Sequence, residues 1–308
     1  MTERSGILLL NKSPGRTSFE SLNAVKKALA TRKVGHTGTL DKFASGLLVV
    51  LSGWALKLSP WFDRCDKRYR GTIRFGVETD TLDGEGKPVA QADPPGLEAL
   101  ERALEQFRGD IMQAPPAYSA IHLDGRRAYE LARSGLEPKM EKRPVRIHAL
   151  ELCSYDPPLA EVWVHCSKGA YIRSLARDIA LAAGSRAYLD RLERLRVAGF
   201  DLADAASAEA SDLAAALRPI RPDTFESLGL PWANVDEAAA KYLRQGKPPD
   251  RLVEALLPAS VRETVPQDSL ALFCGPSFVA VMTKKAGGDR RSDQRFYRWS
   301  YGYVHADP

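Results

Sequence analysis

The chain has 308 residues, 44% hydrophobic and 27% charged, with a formal net charge of +5 and a pI of about 9.0. That length suits one large domain or a larger and a smaller one, and the mild basicity permits a polyanionic partner without demanding one. Four scattered cysteines without a CxxC pair and five histidines without HExxH spacing suggest neither a zinc site nor a disulfide framework, and the four-residue apolar run near the N-terminus is too short for a signal peptide or membrane span, so a cytoplasmic protein with reduced thiols is expected.

In chain order, Ile7–Leu10 reads as a short buried strand ended by the turn cluster Asn11-Lys12-Ser13-Pro14-Gly15, where Lys12 is either structural or a phosphate contact. Thr17 and Glu20 have capping-box spacing, and Phe19, Leu22, Val25 and Leu29 form the stripe of the helix that follows. The stretch Val34–Gly53 opens on Gly35, Thr37, Gly38 and Thr39, carries one acid at Asp41, and then runs into apolar Leu47–Leu51. Spacing alone fits an ordinary glycine turn before a core strand. It also fits a poorly solvated carboxylate beside backbone that can approach a ligand closely. Trp54–Phe62 is expected to be helical. Lys67–Phe75 alternates, with Tyr69, Ile73 and Phe75 on one face and Arg68, Arg70 and Arg74 on the other.

Thr79–Gly84 is a polar turn, Leu97–Phe107 a helix, and Gln113–Ser119 cannot be regular helix because of its proline pair. Asp124–Arg146 holds seven Lys/Arg, Arg126 and Arg127 among them, against four acids. It is either a solvated mixed-charge face or a basic lobe that grips RNA phosphates. Strands are expected over Val145–Leu152 and Glu161–Cys166, then a helix over Tyr171–Ala183. Arg173 falls in its first turn, where the helix dipole disfavours a cation, which fits either a surface arginine or one with a carboxylate partner. Leu189, Leu192 and Leu195 continue an apolar pattern, an alanine-rich helix is expected over Ala205–Leu217, and Arg218–Pro222 reads as a linker. Beyond Leu230 short strands over Leu270–Cys274, Phe278–Met282 and Tyr297–Val304 indicate a small β-rich domain with a basic edge between Lys284 and Arg298.

Four blocks stand in one order: GHTGTLDKFASG, KRYRGTIRFGVETDTLDGEG, GDIMQAPPAYSAIHLDGRRAYELARSG and HCSKGAYIRSLARDI. Together they resemble the bacterial tRNA pseudouridine-55 synthases, the TruB family. The resemblance implies an α/β (α+β) fold: a catalytic domain, residues 1–228, around a long mixed and mostly antiparallel sheet flanked by helices, with a basic RNA-gripping insertion at about 119–146. A small β-rich domain similar to PUA modules would follow at 229–308. It also implies cleavage of the uracil N1–C1′ bond, rotation of the base and rejoining through C5. That isomerisation needs no cofactor and no metal.

By matching position, the resemblance makes Asp41 the catalytic carboxylate, Tyr69 the tyrosine that stacks on the flipped base and is proposed to take its C5 proton, and Arg173 the partner that holds Asp41 ionised. His36 would stand beside the extruded nucleotide, Gly38 and Thr39 would bring backbone to it, and Leu192 would line the base pocket. Arg126 and Arg127 belong to the thumb. Two residues depart from the family pattern: Lys42 follows the catalytic Asp where a proline is usual, and Ser13 replaces the proline after the first-block lysine. The implied partner is the T-stem-loop of tRNA, bound by a monomer without an obligate protein partner. A guide-RNA-dependent relative is disfavoured because the first strand begins by Ile7. A non-catalytic RNA binder and a uracil glycosylase are the readings from other classes.

Overall fold

The computed structural model describes residues 4–119, 121–123, 125–134, 136, 138, 140–210, 212–245, 269–287 and 296–304. Among them, a ten-stranded sheet runs in the order Ala206–Ser207, Gly6–Lys12, Ser45–Ser52, Ala187–Val197, Lys67–Phe75, Leu159–Cys166, Arg143–Asp156, Gly109–Gln113, with Val34–His36 and Phe200–Asp201 as side branches. Its pairings are antiparallel except Gly6–Lys12 with Ala206–Ser207 and Ala187–Val197 with Ser45–Ser52. A second sheet joins Trp232–Asn234, Ser269–Cys274, Ser277–Gly287 and Phe296–Val304. This is the mixed architecture with a β-rich C-terminal region that the sequence implied.

Two sequence patterns explain which strands lie where. Leu47–Leu51 is continuously apolar because both faces of its strand are covered. Leu47, Val49 and Leu51 pack with Leu58, Phe62 and Phe225, whereas Leu48 and Val50 pack with Leu22, Val25 and Leu29 of the helix Ser18–Leu29. That helix starts at the expected capping box, with Thr17 Oγ1 accepting from the Glu20 N–H and the Glu20 carboxylate accepting from the Thr17 N–H. By contrast, Lys67–Phe75 alternates because only one face is buried. Tyr69, Ile73 and Phe75 meet the helices Leu97–Glu105 and Ile172–Ala182, leaving Arg70 and Arg74 exposed.

Four expectations need correction. The described part of Ala205–Leu217 is not a helix: it is a two-residue edge strand followed by turns. Ser207 and Asp212 side chains accept from backbone N–H groups of Glu209 and Ala215, a local alternative that competes with helix, while Ala206, Ala214 and Leu217 pack against the Leu8–Leu10 face of the sheet. Trp54–Phe62 is split into a 3-10 turn, Gly53–Leu58, and a short helix, Ser59–Asp63, with Pro60 in its first turn. Arg218–Pro222 is not a free linker: Arg218 exchanges backbone hydrogen bonds of 2.9 and 2.8 Å with Ile7, and Phe225 just beyond it stacks on Phe278. Phe19, expected in the buried stripe, is 66% exposed and faces a large cleft. The basic edge between Lys284 and Arg298 lies largely outside the described residues.

Candidate active site

The loop that follows Val34–His36 crosses the end of the main sheet before re-entering it at Ser45, and Asp41 stands at its centre. The Asp41 carboxylate accepts a two-pronged contact from Arg173, with Nε 2.9 Å from Oδ2 and Nη2 3.0 Å from Oδ1. Such a planar fork fixes orientation as well as charge. Arg173 sits in the first turn of Ile172–Ala182, and its electrostatic misplacement there is answered by two carboxylates, Asp41 and, at 3.6 Å, Asp83. Its remaining N–H groups donate to the Thr81 and Tyr118 carbonyls at 2.8 and 3.0 Å.

Asp83 was not anticipated. It accepts from Thr81 Oγ1 at 2.6 Å and from the Glu85 N–H at 3.1 Å, and burial pushes its carboxyl above the usual range. Leu82, at φ 61, is a left-handed leucine between the two residues that contact Arg173. That conformation costs roughly 1–2 kcal/mol and marks a turn shaped by its neighbours.

Tyr69 projects from Lys67–Phe75 into the same cleft, 8% exposed. Burial pushes its hydroxyl up to about 12, against an offset from the charge of Arg194 and a hydrogen bond to it. Arg194, also missed from sequence, is the cross-strand neighbour of Tyr69 and is 2% exposed. Its Nε donates to the Leu47 carbonyl at 2.8 Å and its Nη2 to the Gly38 carbonyl at 3.1 Å, so one buried guanidinium ties the Asp41 loop to the tyrosine strand. Gly46 makes this possible: at φ +100, a Cβ there would stand 2.4 Å from the Arg194 carbonyl oxygen.

Because the folded-state hydroxyl of Tyr69 titrates above its ordinary value of about 10, the protonated phenol contributes stability that is full below about pH 10 and lost as pH rises toward 12. Urea midpoints at about pH 9 and 11 should therefore converge for Tyr69→Phe relative to wild type. Equal alkaline losses in the two proteins would place the titration elsewhere.

His36, Gly38, Thr39 and Leu192 all line this cleft, whose volume is about 1170 Å³. The His36 Nδ1 accepts the Gly38 N–H at 3.4 Å, and burial, with help from Arg194, holds its imidazole below the ordinary range. Neutral and half-buried, it suits stacking better than phosphate pairing. Lys42 points away from Asp41 toward Glu85, 3.6 Å distant, while its carbonyl accepts from the Gly15 N–H at 2.8 Å. Ser13 donates to Glu209 at 3.2 Å on the surface.

Lys12 requires a correction. It is fully buried, and its Nζ donates to the carbonyls of Ser13, Arg16 and Lys42 at 3.1, 2.7 and 3.4 Å, so it is enclosed by the loops and meets no phosphate. Burial lowers its pKa to about 8, opposed by the charge of Asp41. Lys12→Met should leave those carbonyls without a donor and cost roughly 1–3 kcal/mol in urea denaturation. An unchanged midpoint would show that the ammonium is dispensable.

The insertion folds as a short strand pair, His122–Leu123 with Arg126–Arg127, and a helix, Ala128–Arg133, whose Tyr129 lines the cleft. The side chains of Arg126 and Arg127 lie outside the described residues.

The sequence profile described as TruB family pseudouridylate synthase (N terminal domain) matches residues 26–172. Among curated relatives, a protein named tRNA pseudouridine synthase B from Azoarcus sp. strain BH72 is 40% identical over 294 residues, spanning 92% of this chain and 93% of its own. Its namesake in Borreliella burgdorferi strain ZS7 is 47% identical over 208 residues, 67% of this chain and 74% of that one. The one in Symbiobacterium thermophilum is 42% identical over 80% and 84%. A solved Cbf5-Nop10-Gar1 complex contains a chain of the same fold, with TM-score 0.67 at 19% identity, over 98% of this chain and 85% of that one.

Proposed function

Since this chain belongs to the TruB family and forms pseudouridine in tRNA, we propose that its target is uridine 55 of the T-loop and that Asp41 is the carboxylate that carries the reaction. The observation that carries this reading is the Asp41–Arg173 pair, fixed at two points and facing a cleft that also holds Tyr69 and Leu192. A protein that only bound RNA would gain nothing from an acid held by a buried arginine in this cleft.

The uridine has to leave the stack, because C1′ and C5 are unreachable within a helix, and flipping costs a few kcal/mol. Exposed Phe19 and half-buried His36 at the cleft rim are placed to stack on neighbouring bases or fill the gap left behind. Leu192 and the ring of Tyr69 form an apolar slot for uracil. Cleavage of N1–C1′ develops positive charge at the sugar, which a fixed carboxylate stabilises as in glycoside hydrolysis. Asp41 then either bonds to C1′ or accepts the C2′ proton. The freed base turns and C5 bonds to C1′ as the Asp41–C1′ bond breaks or, on the other route, as Asp41 returns the proton to C2′; the C5 proton then departs and N1 is protonated, so atoms balance without oxidant or co-reactant. The Tyr69 hydroxyl begins protonated, so it serves first as a packing surface. Any later proton acceptance through it depends on Arg194, whose charge and hydrogen bond ease ionisation.

The enzyme is expected to act as a cytoplasmic monomer with the C-terminal β-rich region as a PUA-like RNA-binding module. No described helix is long and apolar enough to cross a membrane. The test of the target is incubation with an unmodified tRNA transcript, carbodiimide labelling and primer extension. A single arrest at uridine 55 is expected. Bound tRNA without that arrest, or an arrest at a different uridine, would overturn the assignment, and release of free uracil would point to a glycosylase.

For the thumb, Arg126→Ala with Arg127→Ala should weaken tRNA binding and flatten the dependence of log K on log salt by roughly 1 per lost phosphate contact. An unchanged slope would identify a solvated face.

A further inference from the structure

We propose that Asp66, His148 and His165 form a binding site for a divalent transition metal of the zinc class, outside the residues that line the Asp41 cleft. One ligand atom from each residue lies within 4.8 Å of the others. His148 Nε2 is 3.0 Å from Asp66 Oδ2, and the two imidazole rings are 4.7 Å apart. The three come from neighbouring chain segments: Asp66 immediately precedes Lys67–Phe75, His165 lies on the adjacent Leu159–Cys166, and His148 lies on Arg143–Asp156 beyond it.

Regular alternation does not produce this grouping. Ile147 opposes Cys166 and Ala149 opposes His165, so His148 is an extra residue at a β-bulge. A bulge re-aims one side chain, and here it turns His148 toward the face of His165. Two imidazoles and one carboxylate are borderline donors that suit zinc, cobalt or nickel, and three protein ligands leave coordination positions open. Asp66 and His165 also line a cavity of about 630 Å³, walled on its far side by Glu226–Leu230 and Ser269. An open position facing that cavity would admit water or an anion.

Around tetrahedral zinc with bonds of about 2.0–2.1 Å, ligand atoms stand roughly 3.4 Å apart. The present spacing closes by rotation of side chains that are 30% and 44% exposed at His148 and Asp66. The opposing charges are Arg68 and Arg196. Arg68 lies over the Trp163 ring at 5.6 Å, and Arg196 approaches Asp201 to 3.9 Å without a hydrogen bond from its Nε. Arg64 also borders the cavity, and it favours an anion as the external ligand.

The experiment titrates cobalt chloride, then zinc chloride, into the tag-free full chain, reading visible ligand-field absorption and calorimetric stoichiometry. Wild-type protein should bind one equivalent that His148→Gln and His165→Gln each lose or weaken by roughly tenfold or more. Both variants should keep tRNA modification, since neither residue touches the Asp41 cleft, and that activity reports their folding. X-ray absorption on zinc-loaded wild-type protein should show nitrogen and oxygen neighbours at about 2.0–2.1 Å, including imidazole scattering, independently of any variant. No stoichiometric binding, or an equivalent retained in both variants, would overturn the site.

Discussion

Replacement of Asp41 by asparagine is expected to abolish pseudouridine formation while leaving the protein folded and able to bind tRNA. The amide keeps the shape of the side chain and one oxygen for the Arg173 fork, and Asp83 at 3.6 Å still offsets the guanidinium charge, so the fold should lose no more than about 1 kcal/mol. What it loses is the anion. An amide neither stabilises developing charge at C1′ nor bonds to it, and it is no base toward C2′. Removing a comparable group elsewhere costs on the order of 10⁴-fold to 10⁶-fold in rate, or about 5–8 kcal/mol of barrier. Single-turnover conversion of a tRNA transcript measures this directly. Binding should stay within a few-fold of wild type, because removing an anion from an RNA cleft takes away repulsion. Turnover within tenfold of wild type would remove Asp41 from the chemistry.

Sequence and structure agree where local pattern decides the outcome. Leu47–Leu51 reads as a strand covered on both faces, and Tyr69 reads as inward-facing, because strand period and burial are properties of short segments. For Arg173 the dipole gave only a hint of a carboxylate partner and the family resemblance named Asp41; the structure supplies Asp41 and adds Asp83. Arg194 escaped notice although it is in phase with Leu192. In a strand whose register shifts twice, phase does not reveal that a cation is enclosed. Lys12 was read as a candidate phosphate contact because nothing in its own turn shows that the Asp41 loop closes over it thirty residues later. Asp83 looked like a turn acid for the same reason. Ala205–Leu217 had helix composition, and its packing on Leu8 and Leu10 outweighed that propensity. In each miss the deciding partner was distant in sequence. Lys42, the odd residue in the Asp41 loop, contributes mainly its carbonyl, which a proline would also supply, and its ammonium lies 3.6 Å from Glu85.

Arg173→Ala should cost stability and activity together, and the pH dependence of the stability loss is the informative part. Arg173 is 5% exposed at its side chain, and its removal leaves Asp41 and Asp83, 36% and 10% exposed, facing one another without a cation. Breaking a buried ion pair from one side costs roughly 3–5 kcal/mol, and solvent around Asp41 reduces this to about 2–4 kcal/mol here. Burial already raises the Asp83 carboxyl in the intact protein, with the charge of Asp41 adding to it and Arg173 opposing it. Without Arg173 that rise must grow. A carboxyl raised in the folded state gives stability that is present at low pH and lost as pH climbs through the raised value. The deficit of the variant against wild type should therefore be larger at about pH 8 than at about pH 5. Arg173→Lys should recover part of the stability by restoring a charge, but little of the rate, because an ammonium cannot hold both carboxylate oxygens and two carbonyls in one plane. Urea midpoints at the two pH values, read beside single-turnover rates, separate these effects. A deficit independent of pH would mean that Arg173 fills space, and wild-type turnover in the lysine variant would mean that charge alone positions Asp41.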